Sequence, residues 1–336
     1  MKAYSLISVI VVTYNQEKTI GRTLECILRQ SCHLPFEIVI GEDCSTDRTG
    51  AICQDYARQH PDRIRLFRNA QNKGVVNNYM DCLLACKGDL IADCAGDDFW
   101  TDTKKLEKTS RMMEANPDVT LVHTAWCYYN ERTHTTSPSP TQPFTSPMTD
   151  GKDMLEAIIT QTRIPVIHLC TALYRADTAK ESYHRHTAWF RHEDVICEDL
   201  QIAYLMAKNG RIAYLPDVTL NYSQGEETVS SPTNNDRQFA FCKKATQQSY
   251  WLSEDYGHKS RRIENYFSQR IFELGMYAFR AHSKALCSET KACEKGWNVN
   301  RTMKNSLLFT VMDHEWLWEM GLFARYVFVR LKQALR

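Results

Sequence analysis

Apolar residues come in blocks along the first 130 positions, and the blocks predict strands and helices in alternation. The run LISVIVV (6–12) is apolar throughout, which is typical of a strand buried on both faces. Ile20, Leu24 and Ile27 then recur at helical spacing. Asn15 precedes them and is a candidate cap for that helix. We therefore expect the chain to open on a strand rather than on a signal peptide, because a small-residue cleavage site is missing.

Three later apolar runs, each followed by a polar turn and a helical pattern, predict three more strands. They are expected at FEIVI (36–40), at 64–67 within RIRLF and at DLIADC (89–94). The third helix should end at Gly88. Because strand and helix alternate, we expect an α/β fold with a mostly parallel, Rossmann-like sheet and helices on both faces.

The pattern changes after residue 130. Residues 131–151 carry four prolines between 138 and 147 and many Ser and Thr, which is typical of an irregular, exposed insertion. Four elements are expected next: a helix at about 152–160, a strand in HLCTALYR (168–175), a helix ended by Gly210 and a strand in RIAYL (211–215). From about residue 232 the pattern is helical. We expect one domain over 1–230 and a helical region over 231–336.

The last helical pattern, EWLWEMGLFARYVFVRLKQALR, is amphipathic. Its apolar face carries Trp316, Met320, Phe323, Val327, Leu331 and Ala334, and its basic face carries Arg325, Lys332 and Arg336. Two interpretations stay open, namely a helix that packs on the core and an interfacial helix on an anionic membrane. No apolar stretch is long enough to span a bilayer.

The charge balance argues against a general nucleic-acid binder, although a local basic patch stays possible. The 336 residues hold 41 Lys plus Arg and 40 Asp plus Glu, whereas nucleic-acid binding needs a basic excess. The 13 cysteines form no C-x-x-C pair and lie mostly in apolar patterns. We expect small buried thiols in a reducing cytosol rather than a zinc ribbon or a thioredoxin-like site.

Polar clusters follow three of the predicted strands. The clusters are Thr13-Tyr14-Asn15, Glu42-Asp43-Cys44-Ser45 and Asp97-Asp98. In open α/β sheets, ligands bind outside the carboxyl ends of the strands. We therefore expect the three clusters to converge at one edge of the sheet.

Asp97 and Asp98 stand side by side although adjacent carboxylates repel. The pair could cap the helix predicted at 103–115. It could also hold Mg²⁺ or Mn²⁺ beside a nucleotide diphosphate, with phosphate and water completing the ligands. Dehydrogenase and P-loop motifs are absent, because no two glycines stand closer than eight positions.

Four stretches carry motifs that are weak singly and specific together. They are ISVIVVTYNQEKTIGRTLECILRQ, FEIVIGEDCSTDRT, NKGVVNNYMDCLLACKGDLIADCAGDDFWTD and EDLQIAYLMAKNGRIAYL. As a set, in this order and spacing, they resemble glycosyltransferase family 2, whose members are inverting enzymes of the GT-A fold that use nucleotide-diphospho-sugars. The resemblance spans roughly residues 5–225. It implies a nucleotide-sugar-binding half over 1–130 and an acceptor-binding half over 152–230, with a C-terminal helical extension.

The resemblance also assigns roles to individual residues. The residues expected at the nucleotide sugar are Thr13, Tyr14, Asn15, Glu17, Asp43, Asn72, Lys73, Gly74, Asp97 and Asp98. Among them Asp43 would accept from uracil or ribose, and Asp97 and Asp98, in the D-x-D region, would bind the metal. Asp199 corresponds to the catalytic base, and Glu198 precedes it as the other member of the acid pair.

Three positions depart from the family's pattern. Val12 stands where Pro is frequent, Ala95 replaces the first Asp of D-x-D, and Gln224 and Gly225 stand in place of a histidine. Ala95 removes a ribose contact unless another residue supplies it. The Q/R-x-x-R-W motif of processive synthases is also absent, which implies one sugar added per encounter.

Inversion at an anomeric carbon needs an acceptor hydroxyl that loses its proton as it attacks. A carboxylate at a helix start, such as Asp199 in CEDL, can serve as that base. The alternative is a helix N-cap with an acidic first turn. Glu193 and Asp194 in HEDV are the second choices for the base.

Other residues carry less specific signals. The histidines expected to be satisfied or exposed, without metal-ligand spacing, are His33, His60, His123, His168, His184, His186 and His192. His184 and His186 are candidates for an acceptor pocket. Trp100 either stacks on the sugar or packs in the core.

These observations predict a cytoplasmic, metal-dependent, inverting glycosyltransferase that builds a bacterial capsule, O-antigen or exopolysaccharide. We expect a UDP-sugar donor, a glycan or lipid-linked glycan acceptor, Mn²⁺ or Mg²⁺ as cofactor and no nucleic-acid partner. Peripheral contact with the cytoplasmic face of the inner membrane stays open. The alternatives are a nucleotide-sugar hydrolase or nucleotidyltransferase on a similar sheet, and an inactive glycan-binding relative.

Overall fold

The computed structural model describes residues 3–140, 144–162, 165–224 and 234–334. Their contacts divide the chain into two compact units, Met1–Glu226 and Glu227–Arg336. The first unit is built from strands and helices, and the second from helices.

Ten strands of the described first unit join one sheet in the order β3-β2-β1-β4-β9-β6-β10-β5, with β7 beside β6 and β8 beside β10. The strands are β1 (Ile7–Thr13), β2 (Phe36–Glu42), β3 (Ile64–Arg68), β4 (Leu90–Asp93), β5 (Phe99–Trp100), β6 (Val119–Asn130), β7 (Thr135–Pro138), β8 (Met148–Asp150), β9 (Leu173–Arg175) and β10 (Arg211–Gln224). Strands β1 to β4 run parallel, and β9 is antiparallel to both of its neighbours. The predicted parallel α/β sheet is therefore confirmed, and it becomes mixed where β9 enters.

The register of the parallel strands aligns their carboxyl ends. Thr13 at the end of β1 pairs with Glu42 at the end of β2, and Ile10 pairs with Asp93 at the end of β4. β1 is apolar because it is buried on both faces, as its sequence predicts. The loops that follow β1, β2 and β4 thus leave the sheet at one edge.

Eight helices of the described first unit flank this sheet. They are α1 (Ile20–Leu28), α2 (Thr49–Gln59), α3 (Val75–Ala85), α4 (Lys105–Ala115), α5 (Leu155–Ile159), α6 (Ala176–Arg185), α7 (Thr187–Arg191) and α8 (Asp199–Asn209). Short 3-10 helices cover Gly151–Met154 and Leu169–Thr171. α1 buries Ile20, Leu24 and Ile27 on one face, as predicted.

Two of the predicted helix ends are wrong. Asn15 does not cap α1, because Thr19 holds the cap position. Asn15 instead has a left-handed φ of 53°, and its Oδ1 accepts from the Thr46 N–H at 2.8 Å. α3 ends at Ala85, before Gly88, because Cys86 is already extended. Gly210 does follow the last residue of α8, as predicted.

The segment 131–151 is exposed over most of its described length, yet it contributes β7 and β8 to the sheet. Positions 141–143 of that segment lie outside the described residues. The strand expected over 168–175 is shorter than predicted, because a 3-10 helix takes up its first part and leaves β9. β10 is longer than predicted and continues to Gln224. All 13 cysteines are free, as expected.

The second unit contains five described helices. They are α9 (Asn235–Tyr256), α10 (Arg261–Ala281), α11 (Lys284–Gly296), α12 (Met303–Asp313) and α13 (Glu315–Ala334). The predicted helical region is therefore present. Trp318 of α13 is fully buried in the core of this unit, and its indole N–H donates to the Phe279 carbonyl oxygen at 3.0 Å.

The apolar stripe of α13 faces away from that core. Trp316 is 62% exposed and Phe323 is 68% exposed, and Met320, Val327 and Leu331 are exposed as well. Within the second unit, this stripe therefore does not pack on the core that contains Trp318. The side chains of Lys332 and Ala334, and all of Arg336, lie outside the described part of the chain.

The end of β4 buries an acid. Asp93 is 4% exposed and accepts a hydrogen bond from the Tyr79 hydroxyl at 2.7 Å, and Tyr79 also contacts the Tyr174 hydroxyl. Burial raises the pKa of Asp93 to about 8, the Tyr79 hydrogen bond opposes this, and the charge of Asp199 adds to it. Between about pH 4 and pH 8 the folded chain therefore keeps a proton that the unfolded chain has released, so stability falls as pH rises through this window.

Asp93→Asn should remove this pH-dependent loss of stability while keeping an acceptor for Tyr79. Because one pKa unit corresponds to about 1.4 kcal/mol, we expect the variant to gain at least about 1 kcal/mol over the wild type at pH 8 and little near pH 4. Urea titrations at both pH values measure the difference. Asp62→Asn, at an exposed position, is the matched control. An equal gain for Asp93→Asn at both pH values would contradict the proton-linked explanation.

Candidate active site

Hydrogen bonds tie the loop after β1 to the loop after β2. The Asn15 amide oxygen accepts from the Thr46 N–H, and the Glu17 carboxylate accepts from the Arg48 N–H at 3.0 Å. Asn15 and Cys44 both have left-handed φ angles, of 53° and 62°. The two loops form one braced unit at the strand ends. Asn15 and Glu17 contribute to it by holding backbone groups of the neighbouring loop.

The carboxylate of Asp43, at the start of the second loop, organises the loop that precedes α3. It is buried, and it accepts from the backbone N–H groups of Lys73 and Gly74, each at 2.9 Å, and from the Asn69 amide at 2.8 Å. Gly74 has a φ of 81°, a conformation that favours glycine. Asn72 also accepts from the Gly74 N–H at 3.0 Å. The structure therefore brings Asn72, Lys73 and Gly74 together with Asp43.

The side chain of Lys73 points elsewhere. Its ammonium group pairs with Asp81 at 2.8 Å, and Asp81 also accepts from Arg191 at 2.8 Å. Lys73 thus contributes its backbone N–H, rather than its charge, to the cluster around Asp43. Arg191 lies just before the segment that leads to α8.

The loop that carries the acid pair packs closely on the end of β1. A Cβ atom at Gly96 would lie 2.3 Å from Gln16 Oε1 and 2.7 Å from Thr13 Oγ1, so only glycine fits there. Thr13 Oγ1 donates to Gln16 Oε1 at 2.7 Å. Tyr14, next to Thr13, is about half exposed. Thr13, Tyr14 and the acid pair therefore lie at one edge, as the sequence predicts for loops after neighbouring strands.

Of the first acid pair, Asp98 is buried and Asp97 is half-buried. Asp98 is 1% exposed; its Oδ1 accepts from the Ser223 N–H at 2.9 Å, and its Oδ2 accepts no hydrogen bond from any described residue. Burial raises the pKa of Asp98 well above its usual range, and the neighbouring Asp97 charge adds to it. Burial also raises the pKa of Asp97. The pair is electrostatically unfavourable as it stands.

The acid pair fits a divalent cation. Asp98 Oδ2 is a buried oxygen with no donor among the described residues, and the guanidinium of Arg22 pairs with Glu131 rather than with either carboxylate. Adjacent carboxylates are oxygen ligands that suit Mg²⁺ or Mn²⁺, and phosphate and water oxygens commonly complete the set. The alternative that the pair caps α4 is not seen, because Lys104 holds the cap position without a side-chain capping bond.

Glu198 and Asp199 form a second acid pair at the start of α8, in which Glu198 is buried and Asp199 is half-buried. Asp199 is the first residue of that helix, and Glu198 makes no capping hydrogen bond. Burial raises the pKa of Asp199 to about 6, and it raises the pKa of Glu198 well above its usual range, with the Asp199 charge adding to the latter. Glu198 Oε2 accepts no hydrogen bond within the described structure. A carboxyl group with a pKa near neutrality is suited to proton transfer at physiological pH.

Residues 168–171 pack against the loop that carries the first acid pair. Cys170 Sγ accepts from the Ala95 N–H at 3.4 Å, beside the first pair, and the Cys170 carbonyl oxygen accepts from the Trp100 indole at 3.1 Å. Burial raises the pKa of the Cys170 thiol, and the charges of Asp98 and Asp199 both add to the rise. Burial raises the pKa of Tyr222 as well, and the charges of the same two acids add to the rise. The charges of Asp98 and Asp199 thus both act on the pKa values of the same two side chains.

Several weaker candidates fall outside this arrangement. Trp100 is buried with its indole N–H bonded to Cys170, so it packs in the core rather than on an exposed sugar site. Glu193 is exposed, and the Asp194 N–H donates to His192 at 3.1 Å. The ring of His186 stacks on Trp189 at 4.0 Å between centroids.

The histidines include two that the sequence did not distinguish. His123 and His168 are buried, and burial lowers the pKa of each to about 4. His168 Nδ1 has no partner among the described groups. A separate cluster of Cys32, His33 and Glu107 brings three ligand atoms together, but both His33 nitrogens already bond to Glu107 and Glu114.

Sequence reasoning missed several residues that shape the site. Arg22, Lys105, Cys170 and Ser223 carry no local motif, since each meets its partners only through the fold. Asp93 did carry a signal, because an acid interrupts the apolar run LIADC. A buried charge within a strand is rare enough to mark a functional candidate.

Comparison with known proteins gives the site a context. The family model described as "Glycosyl transferase family 2" matches residues 8–182, a little over half of the chain. The putative glycosyltransferase EpsE of Bacillus subtilis is 35% identical over 125 residues, which cover 37% of this chain and 44% of EpsE. The chain spans only about a third of the length of the first curated relatives that it matches.

Two solved structures share the fold across nearly the whole chain. S. aureus TarS, residues 1–349 in complex with UDP-GlcNAc, has a TM-score of 0.55 at 17% identity and covers 94% of this chain and 92% of its own. The mannosyltransferase PcManGT from Pyrobaculum calidifontis, in complex with GDP-Man and Mn²⁺, has a TM-score of 0.52 at 17% identity, with coverages of 94% and 86%. These similarities confirm the predicted GT-A fold. With the family match over residues 8–182, they establish that this chain belongs to glycosyl transferase family 2.

Proposed function

We propose that the chain transfers one sugar from a nucleotide-diphospho-sugar to a hydroxyl acceptor, with inversion at the anomeric carbon. The observation that carries the proposal is the acid pair at the strand ends, where Asp98 is 1% exposed and its Oδ2 has no hydrogen-bond donor among the described residues. No described lysine or arginine forms an ion pair with the carboxylate of Asp97 or Asp98. The second pair, Glu198 and Asp199, has a pKa suited to accepting a proton.

In this proposal Asp199 is the general base. Its carboxylate accepts the proton of the acceptor hydroxyl as that oxygen bonds to the anomeric carbon. The bond between this carbon and the diphosphate oxygen breaks with its electron pair, and the nucleoside diphosphate leaves. Glu198 stays protonated beside Asp199 because burial and the neighbouring charge raise its pKa. Attack opposite the leaving group gives inversion.

Asp97 and Asp98 would hold the metal ion. A divalent cation bound there would neutralise charge on the departing diphosphate. The donor itself would lie along the braced loops of Thr13, Tyr14 and Asn15 and of Asp43. Because the Asp43 carboxylate already accepts three N–H bonds, we assign it to shaping the pocket that receives the base and ribose.

The nature of the donor and the acceptor follows from the relatives. TarS is described with UDP-GlcNAc and PcManGT with GDP-Man, which supports a nucleoside-diphosphate sugar, and we favour a UDP-sugar. A second Bacillus subtilis relative, TuaG, is named a putative teichuronic acid biosynthesis glycosyltransferase and is 34% identical over 109 residues. We therefore assign the chain to the synthesis of a bacterial surface polysaccharide, with a glycan or lipid-linked glycan as acceptor.

Asp199→Asn tests the base. The substitution keeps the shape of the side chain but cannot accept the proton, so we expect the rate of transfer to fall about 10²- to 10⁴-fold. Binding of UDP, measured by calorimetry, should stay unchanged. The wild-type kcat/KM should fall as pH drops below about 6, because the base is then protonated. An ordinary aspartate would keep activity down to about pH 4.

The assay is acceptor-dependent release of nucleoside diphosphate. Release that does not need an acceptor would instead indicate a nucleotide-sugar hydrolase. Asp194→Asn is the matched control, because it alters the rival acid upstream of α8 and should keep normal transfer. Near-normal transfer by Asp199→Asn would show that the base is another residue. No release under any condition would favour an inactive glycan-binding relative.

Asp97→Asn tests the metal site. Mn²⁺ should increase the affinity of the wild type for UDP. In Asp97→Asn this increase should be smaller by about 10-fold or more, because the variant loses one of the two proposed carboxylate ligands. Thermal shift with UDP, with and without Mn²⁺, measures this gain as a rise in melting temperature. Asp102→Asn, on the turn before α4, is the control. An undiminished Mn²⁺ effect in Asp97→Asn would place the cation elsewhere.

We also propose that α13 lies on an anionic membrane surface. Its exposed stripe combines Trp316, Phe323 and Leu331 with exposed Arg325 and Arg330, and no acid follows Glu319. Apolar burial and attraction to anionic lipid act together in such helices. Within the described residues, no helix has the length and apolar character that crossing a bilayer requires.

Vesicle sedimentation tests this surface. The protein should sediment with vesicles that contain phosphatidylglycerol, less with pure phosphatidylcholine, and less at high salt, because each basic residue adds about 1 kcal/mol that salt screens. Phe323→Ser should weaken binding. Met303→Ser, at an exposed apolar position on α12, is the control. Equal sedimentation of Phe323→Ser and the wild type would exclude the stripe as the contact.

A further inference from the structure

One arginine on α1 reaches the backbone of the acid pair. Arg22 Nη2 donates to the Asp97 carbonyl oxygen at 3.0 Å and to Glu131 Oε1 at 2.6 Å. The guanidinium also lies 4.0 Å from the ring centroid of Phe99 and 5.3 Å from that of Tyr129. A carboxylate and two aromatic rings therefore fix the position of this side chain.

Ser223, near the end of β10, makes the second set of contacts. Its N–H donates to Asp98 Oδ1 at 2.9 Å, and its hydroxyl donates to the Asp97 carbonyl oxygen at 2.7 Å. Arg22 Nη2 also lies 3.3 Å from Ser223 Oγ. Ser223 thus touches both acids, and Arg22 touches both Asp97 and Ser223.

Arg22, Glu131 and Ser223 together are called the acid-pair clamp below. They come from α1, from the residue after β6 and from β10, so only the folded chain assembles them. The clamp binds the carbonyl oxygen of Asp97 and one carboxylate oxygen of Asp98. Asp98 Oδ2 keeps no hydrogen bond from the described residues.

The contacts of Arg22 do not neutralise the charge of the Asp97 and Asp98 carboxylates. A guanidinium that neutralised the pair would bind a carboxylate, commonly through two parallel hydrogen bonds. Arg22 instead forms an ion pair with Glu131 and donates a hydrogen bond to the carbonyl oxygen of Asp97. The contacts fix where the loop stands and leave the charge of both acids in place.

We propose that the acid-pair clamp is a positioning device, which holds Asp97 and Asp98 side by side against their repulsion in the arrangement that a divalent cation with a nucleoside diphosphate requires. The inference rests on the proposed function. The position of the two acids matters more because residue 95 is alanine. The loop has no third carboxylate there, so Asp97 and Asp98 are the proposed protein ligands of the cation. Such supporting residues orient metal ligands without touching the metal.

Arg22→Lys tests the clamp. Lysine keeps the positive charge but lacks the planar group that reaches three oxygens at once. In the presence of UDP, we expect Mn²⁺ affinity to fall about 10- to 100-fold, the usual loss when an orienting residue is removed. Electron paramagnetic resonance on the full chain counts free and bound Mn²⁺ without any turnover. UDP binding without metal should stay unchanged.

Arg29→Lys is the matched control, because Arg29 follows the same helix, is exposed and pairs with Glu25 at 2.7 Å. It should bind Mn²⁺ as the wild type does. If Arg22→Lys fails to fold, Ser223→Ala carries the test, since it removes the hydroxyl bond to Asp97 and keeps the N–H bond to Asp98. A smaller but measurable loss of Mn²⁺ affinity is expected for it.

Unchanged Mn²⁺ affinity in a folded Arg22→Lys, or in Ser223→Ala where that variant carries the test, would overturn the clamp and leave the transferase proposal standing. A wild type that transfers sugar but binds no Mn²⁺ would do the same. A wild type without acceptor-dependent release of nucleoside diphosphate would instead overturn the proposed function, which the separate release assay reveals.

Discussion

Desolvation of carboxyl groups at the strand ends is the constraint on which the site depends. Asp93, Asp98 and Glu198 are each buried, and each keeps one oxygen without a described hydrogen-bond donor. Lys105 is also buried, and burial lowers its pKa to about 8 although the charge of Asp93 opposes this. A single lysine cannot balance so many acids, so protons or a bound cation must supply the rest. The raised pKa values and the proposed metal site are two consequences of this one imbalance.

The structure supports these acids with backbone groups more than with opposite charges. Asp43 accepts from two backbone N–H groups, and Asp98 accepts from that of Ser223. Backbone donors fix a carboxylate in place without an ion pair that a ligand would have to displace. Fixed dipoles of this kind cost little reorganisation when charge changes during a reaction. The loops at the sheet edge are therefore shaped before any donor binds.

Local patterns in the sequence predicted the part of the fold that local forces determine. Apolar runs located β1, β2 and β4, and the acids at 97 and 98 appeared at a strand end as expected. The failures were of two kinds. Asn15 was predicted as a helix cap because asparagine is common at that position just before a helix. Its actual partner, Thr46, lies 31 residues away in the sequence, so no local pattern could indicate it. The role of Cys170 could not be predicted for the same reason, because its partner Ala95 lies 75 residues earlier in the sequence.

The bonds from Ser223 to the acid pair span 125 and 126 residues of sequence. When only the first half of the chain has been synthesised, Asp97 and Asp98 are therefore present but β10, which carries Ser223, is not. β10 must be synthesised and added to the sheet before the pair acquires its final geometry. Under the proposed function, the nascent chain cannot transfer sugar until β10 exists, and the two halves can be exchanged between relatives only if this late strand still matches the early loop.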